Sequence, residues 1–487
     1  MATTTRVSRR GVAALTIAAV VATAGCGGGD GDGSYAEPYD ADGGTVTRDD
    51  NRSTFALDVD TASYGYAQRL ITDGRLPSPT DVRPEEFVNS FDQDYPEPTG
   101  DGFAIHADGS RLPGSHRSEP EGDLRLLRVG LQTRSDDRAE RPDAALTFVV
   151  DVSGSMGEPG RLELVQDALH TLVDQLRPTD SVALVAFSDD ARTVREMTRV
   201  SDANKLHGAI DELATRSSTN LEAGLTLGYQ VARDGFRRGV TNRVILLSDG
   251  LANNGSTEAE SILRQVREEA EKEITLLGVG VGSEYGDELM EQLTNQGDGM
   301  VVYVSERAKA RKVFVERLPA TLTVRAMDAK AQVTFDPETV SSYRLIGYDN
   351  RAVADDDFRD DRVDGGEVGP GHSVTALYEV RLAREVSGSD RVAEVAVRWL
   401  DPASREADEA SRPVSVADLS GGFDEASPRL WTCYAAAYFA EALQTGDRPG
   451  EAELTDLAEI AGRAADATED PAVRDLADLI DRARDVN

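Results

Sequence analysis

Leu146-Thr147-Phe148-Val149-Val150-Asp151-Val152-Ser153-Gly154-Ser155 is the stretch whose reading decides the fold. Its first half is an apolar run too short for a helix and bounded by polar residues, which reads as a strand covered on both faces. Its second half turns polar at once, with a carboxylate and two hydroxyls on alternate positions. Outward from it, apolar residues recur at helical spacing over 162–176, 206–213, 221–232, 259–270, 289–293 and 308–318. Short strand-like runs fall at 181–187, 244–247, 274–281 and 301–304. Buried strands alternating with crossover helices predict an α/β unit, a doubly wound and mostly parallel sheet, over residues 143–325. Such sheets bind ligands at the carboxyl ends of their strands.

The flanks differ in character. Residues 53–142 read as helices (64–70, 84–91) and strands (103–105, 124–131), and 326–415 alternates like strands again. The strands of both flanks are expected to share one β layer, so that the α/β unit is inserted into a β-rich domain. Residues 425–487 predict a helical C-terminal region, its segments parted by Pro449 and Pro471. The start predicts export. Arg6, Arg9 and Arg10 precede an apolar segment too short to span a bilayer as a helix, ending in Thr23-Ala24-Gly25-Cys26. This resembles a bacterial lipobox, with Thr23 where leucine is usual. Cys26 is the expected lipidation site, and 1–26 the signal peptide. Residues 27–52, rich in Gly and Asp, read as a flexible tether, so the protein is expected outside the cytoplasm, on the cell membrane. Cys433, the other cysteine, sits in an apolar run and reads as a buried small hydrophobe.

The net charge is −36 over 487 residues, with acidity spread along the chain. Such a surface repels phosphate backbones and excludes nucleic acid as a partner. Two later loops match the first in chemistry. Thr219 lies just before the helix at 221–232, and Asp249 follows the strand at 244–247. Asp151, Ser153, Ser155, Thr219 and Asp249 would then share one sheet edge. Carboxylates and hydroxyls are hard ligands that suit Mg²⁺, with Mn²⁺ or Ca²⁺ as substitutes. Each alone would more often be a cap or turn residue.

Together, Asp151-x-Ser153-x-Ser155, Thr219 and Asp249-Gly250 resemble the metal-ion-dependent adhesion site of von Willebrand factor type A (VWA) domains. The resemblance implies a divalent cation held directly by the two serines and the threonine, and directly or through water by the aspartates. One position would remain for an Asp or Glu of a protein partner. Ser53 to Tyr64, Leu76-Pro77-x-Pro79, Phe91-x-x-Asp94-Tyr95-Pro96, Tyr343-Arg344-Leu345-Ile346-Gly347-Tyr348 and Gly371-His372-Ser373-Val374-Thr375 are similar to the YfbK-type bacterial VWA lipoproteins. A cation-dependent adhesion or assembly module is therefore expected. The other reading is a structural subunit of an envelope complex in which the metal only stabilises the fold.

An enzyme is not expected. His106, His116, His170, His207 and His372 lie in no catalytic context, and no Gly-x-Ser-x-Gly surrounds Ser153 or Ser155. Gly278-Val279-Gly280-Val281-Gly282 reads as close packing at a strand end rather than a dinucleotide site. The acidic run from Asp355 to Glu367 does not fit the EF-hand register and reads as a solvated loop.

Overall fold

The computed structural model describes residues 45–57, 61–113, 123–135, 142–158, 160–249, 256–270, 272–281, 290, 293–294, 301–304, 324–361, 363, 365–402, 404–445 and 450–486. Cys26, most of the expected tether and the helix expected over 308–318 lie outside them. Among the described residues no helix is long and apolar enough to cross a membrane.

The stretch quoted first becomes the centre of a six-stranded sheet. Its strands, numbered within the whole chain, are β5 (Ala144–Asp151), β6 (Ser181–Phe187), β7 (Ala191–Arg199), β8 (Thr241–Ser248), β9 (Ile274–Val281) and β10 (Val301–Val304), in the order β10-β9-β8-β5-β6-β7. All neighbours are parallel except β6 and β7. Every residue of β5 is buried. Leu146, Phe148 and Val150 face one core with the helices α3 (Arg161–Gln175) and α4 (Ala203–Asp211). Val149 faces the other, with α5 (Leu221–Asp234) and α6 (Ser256–Ala270). This two-sided covering is why the strand reads as an unbroken apolar run. Burying each such Val, Leu or Phe contributes about 1.5–3 kcal/mol.

Two further sheets flank this unit. One runs β1 (Thr45–Val46), β12 (Val340–Leu345), β14 (Ser373–Leu382), β4 (Asp123–Thr133), β3 (Phe103–Arg111). The other runs β13 (Gly366–Val368), β11 (Ala326–Phe335), β15 (Arg391–Leu400), β16 (Ala407–Ser415), with β2 (Arg52–Ala56) also on β11. They share one core, in which Val129, Val333, Tyr378 and Val395 are all buried. Strands before and after the α/β unit therefore do pair, but in two packed sheets rather than one layer. Thr45–Val46, at the end of the expected tether, pairs with Tyr343 and Ser342.

The C-terminal helices α7 (Pro428–Gln444), α8 (Glu451–Thr468) and α9 (Pro471–Asp485) form a third core with α1 (Ala62–Thr72) and α2 (Pro84–Val88). Cys433 is a free, fully buried thiol there, donating to Gln93 Oε1 at 2.9 Å. Burial raises it to about 11, Arg128 pulling the other way.

Candidate functional site

β5 lies at the point where the sheet order turns outward in both directions, between β6 and β8. A doubly wound sheet opens a crevice there at its carboxyl edge. Asp151 is the last residue of β5, and Asp249 follows the last residue of β8. Backbone hydrogen bonds tie the intervening loops to this edge. Val152 N donates to Phe187 O at 2.9 Å, Arg216 N to Val152 O at 2.6 Å, and Asn220 N to Ser188 O at 2.7 Å.

Four of the five expected residues form one polar chain. Asp151 Oδ1 accepts from Ser153 N at 2.8 Å, and its Oδ2 accepts from Ser248 Oγ at 2.7 Å. Ser153 Oγ lies 3.1 Å from Ser155 Oγ, and Ser155 Oγ donates to Asp249 Oδ1 at 2.9 Å. Asp151, Ser153 and Asp249 are buried, while Ser155 is exposed, so the cluster has a floor and a solvent side. Thr219 stands outside this chain of hydrogen bonds and is half-buried. Its loop is drawn to the edge by the Arg216 and Asn220 backbone bonds. Ser218 before it holds a left-handed backbone (φ 67°), a conformation costing a non-glycine residue about 1–3 kcal/mol and found most at functional loops. Asn220 after it caps α5 by accepting from Ala223 N at 3.0 Å.

Burial raises the Asp151 carboxyl above its ordinary range, opposed by the Ser248 hydroxyl and the Ser153 amide and reinforced by the Asp249 charge. A buried carboxylate beside a second one is stabilised by a cation. One cation is already supplied by the chain, since the Arg161 guanidinium donates to Asp249 Oδ2. Arg161 is the first residue of α3, follows Gly160 at φ 92°, and also pairs with Glu158 at 2.7 Å. Neither Arg161 nor Ser248 stands out in the sequence; a serine directly before Asp249 is the only hint of the second.

The donor set consists of hydroxyls and carboxylates, and it fits a hard divalent ion better than zinc, which takes nitrogen and sulfur. Ser153, Ser155, Thr219, Asp151 and Asp249 would hold it, and it would supply a positive centre able to take one more carboxylate oxygen.

Within β9, one glycine of the run packs closely. A Cβ on Gly278 would stand 2.9 Å from Met290 Sδ and 3.0 Å from Thr294 Cγ2. The acidic run is anchored as well as solvated. Asp355 accepts from Thr54 Oγ1 at 2.6 Å, Asp356 from Arg52 at 3.1 Å, and Asp361 from Arg398 at 2.8 Å.

Family models place these features. One described as von Willebrand factor type A domain matches residues 145–316. One described as Uncharacterized protein YfbK, C-terminal, matches residues 320–486. A third, described as von Willebrand factor, matches residues 32–119. Uncharacterized protein YfbK of Escherichia coli (strain K12) is 35% identical over 377 residues, 73% of this chain and 65% of that protein's length. Uncharacterized protein sll0103 of Synechocystis sp. is 25% identical over 296 residues, 60% of this chain and 69% of that protein. Among solved structures, von Willebrand factor type A from Catenulispora acidiphila has a TM-score of 0.46 at 14% identity, covering 77% of this chain and 89% of that one. A VWA domain is a module that commonly mediates protein interactions. This chain thus carries a VWA domain, set into a β-rich frame, and a YfbK C-terminal region, and it is similar to the YfbK-type bacterial VWA proteins.

Proposed function

We propose that the chain is a cation-dependent protein-binding module, for adhesion or assembly, which captures an acidic side chain of a partner. The observation that carries this reading is the run Ser153–Ser155–Asp249, with Ser153 and Asp249 buried at its ends and Ser155 open to solvent between them. Mg²⁺ is the proposed ion, with Mn²⁺ or Ca²⁺ as substitutes, on the chemistry of hard oxygen ligands. Two carboxylates nearly neutralise a divalent ion, and a partner's Asp or Glu completes its shell. The Thr23-Ala24-Gly25-Cys26 segment supports tethering through lipid on Cys26, outside the cytoplasmic membrane.

The test is calorimetric titration of Mg²⁺, Mn²⁺ and Ca²⁺ into metal-stripped protein, beside an Asp151→Ala/Ser153→Ala variant. Saturable binding lost in the variant is the expected result. Capture of an envelope protein that is released by chelator, and lost on Asp249→Ala with the fold intact, would carry the partner half of the reading. Partner capture untouched by chelator, with only the melting temperature lowered, would make the metal a structural element instead.

A further inference from the structure

Two helices of the VWA unit carry the same spacing, His170-Thr171-Leu172-Val173-Asp174 in α3 and His207-Gly208-Ala209-Ile210-Asp211 in α4. In each, His and Asp stand one helical turn apart on one face. The four side chains cross-pair between the helices. His170 Nε2 lies 3.1 Å from Asp211 Oδ1, and His207 Nε2 lies 3.3 Å from Asp174 Oδ1. Between them the two Nδ1 atoms are 2.7 Å apart, with ring centroids at 5.0 Å and planes within 21°. Both imidazoles keep over a quarter of their surface exposed, 29% and 27%.

The hydrogens follow from the partners. A carboxylate only accepts, so His170 Nε2, hydrogen-bonded to Asp211, carries a hydrogen, while His207 Nε2 faces Asp174 at ion-pair distance. The two Nδ1 lone pairs then point at each other and share one hydrogen. Histidines bound to a metal have this outer arrangement, one ring nitrogen on the ion and the other donating to a carboxylate.

The geometry points to a transition-metal site in which Nδ1 of His170 and Nδ1 of His207 bind one divalent ion in place of their shared hydrogen. Asp211 and Asp174 orient the rings. Two imidazole nitrogens on one tetrahedral ion at ~2.1 Å stand roughly 3.4 Å apart, so the observed pair at 2.7 Å must open and both rings must turn until their lone pairs converge on the ion. Among the described residues no three His, Cys, Asp or Glu side chains are placed to hold an ion together. The helices therefore supply two ligands, and water or a partner side chain completes the shell. Imidazole selects Zn²⁺, Ni²⁺ or Cu²⁺ over Mg²⁺, which keeps this site chemically apart from the oxygen cluster at Asp151. An ion here ties α3, which follows the Ser155 loop, to α4, which precedes the Thr219 loop.

The experiment titrates Zn²⁺ into the chelator-stripped full chain by calorimetry, in two buffers of different ionisation enthalpy. One ion is expected to bind and to release one proton, the shared one. His207→Ala and His170→Ala are each expected to abolish this binding. Asp151→Ala, which removes an oxygen ligand at the other site, is expected to leave it unchanged. An Asp174→Asn/Asp211→Asn variant should weaken it ~10-fold, and its milder change guards against misfolding of the histidine variants. Circular dichroism checks each fold. Absence of Zn²⁺ binding, binding without proton release, or binding that survives both histidine substitutions would overturn the assignment and leave a hydrogen-bonded histidine pair.

Discussion

Arg161 bears directly on how strongly the oxygen cluster would hold the proposed cation. Its guanidinium lies on Asp249 Oδ2 and its side chain is mostly buried, 13% exposed. A divalent ion at Asp249 would meet this charge at close range, and little water lies between to screen it. Arg161→Gln is therefore expected to tighten Mg²⁺ binding by ~3–10-fold, on the order of 1 kcal/mol. Arg161→Lys keeps the charge and should stay close to the wild type. Calorimetry on the two variants separates charge from shape. Weaker binding in Arg161→Gln would mean that the guanidinium holds Asp249 in its binding posture. The sequence shows Asp151, Ser153 and Ser155 because they share one loop at a strand end. It hides Arg161, whose partner is 88 positions away and is reached only when α3 folds back over the sheet edge.

Helix α5 carries that edge's third loop, and its seat on the sheet is set by two glycines. A Cβ on Gly228 would fall 2.3 Å from Val149 Cγ2, and one on Gly224 would fall 2.6 Å from Phe187 Cγ. In an open helix Gly→Ala stabilises by about 1 kcal/mol. At Gly228 overpacking reverses the sign, at a cost of about 1–3 kcal/mol. Gly228→Ala should lower the denaturation midpoint. It should also weaken Mg²⁺ binding, because Thr219 and Asn220 lie at the end of α5 that must shift. Gly208→Ala in α4, where a Cβ meets nothing within 4 Å, is the matched control and should be neutral or stabilising. Equal losses in both variants would refute the close-packing account. Elements were legible in proportion to burial. β5, β8 and β9 announce themselves because both faces are covered. β7 and β16 escaped, since Ala191–Arg199 is an edge strand with polar residues on both faces and Ala407–Ser415 is largely exposed and contains Pro413. No apolar alternation marks either.

At the scale of the whole molecule, the question is what fixes the inserted VWA unit to its β frame. The frame closes around the insertion, since β4 ends before it, β11 starts after it, and early and late strands pair in both frame sheets. Besides the chain connections, a buried ion pair crosses the junction. Arg243, near the start of β8 and 4% exposed, donates from Nε to Thr275 Oγ1 at 2.8 Å and lies 3.6 Å from Glu367 in β13. Burial lowers the affinity of Arg243 for its proton, and Glu367 opposes that shift; the guanidinium stays charged and Glu367 compensates it. Removing one member of such a pair leaves a buried charge without compensation, at about 3–5 kcal/mol, whereas replacing both with apolar groups can be nearly neutral. Arg243→Met is thus expected to lower the unfolding free energy by that order, and Arg243→Met/Glu367→Leu to recover most of the loss. Because Arg243 sits at the opposite end of β8 from Asp249, Mg²⁺ affinity should hold within ~2-fold in both variants, additivity being the rule for sites without shared partners. Denaturation curves and calorimetry on the same samples read both quantities. A single variant as stable as the wild type would remove the pair from the junction, and Mg²⁺ affinity falling in step with stability would mean that β8 transmits strain from frame to cation site.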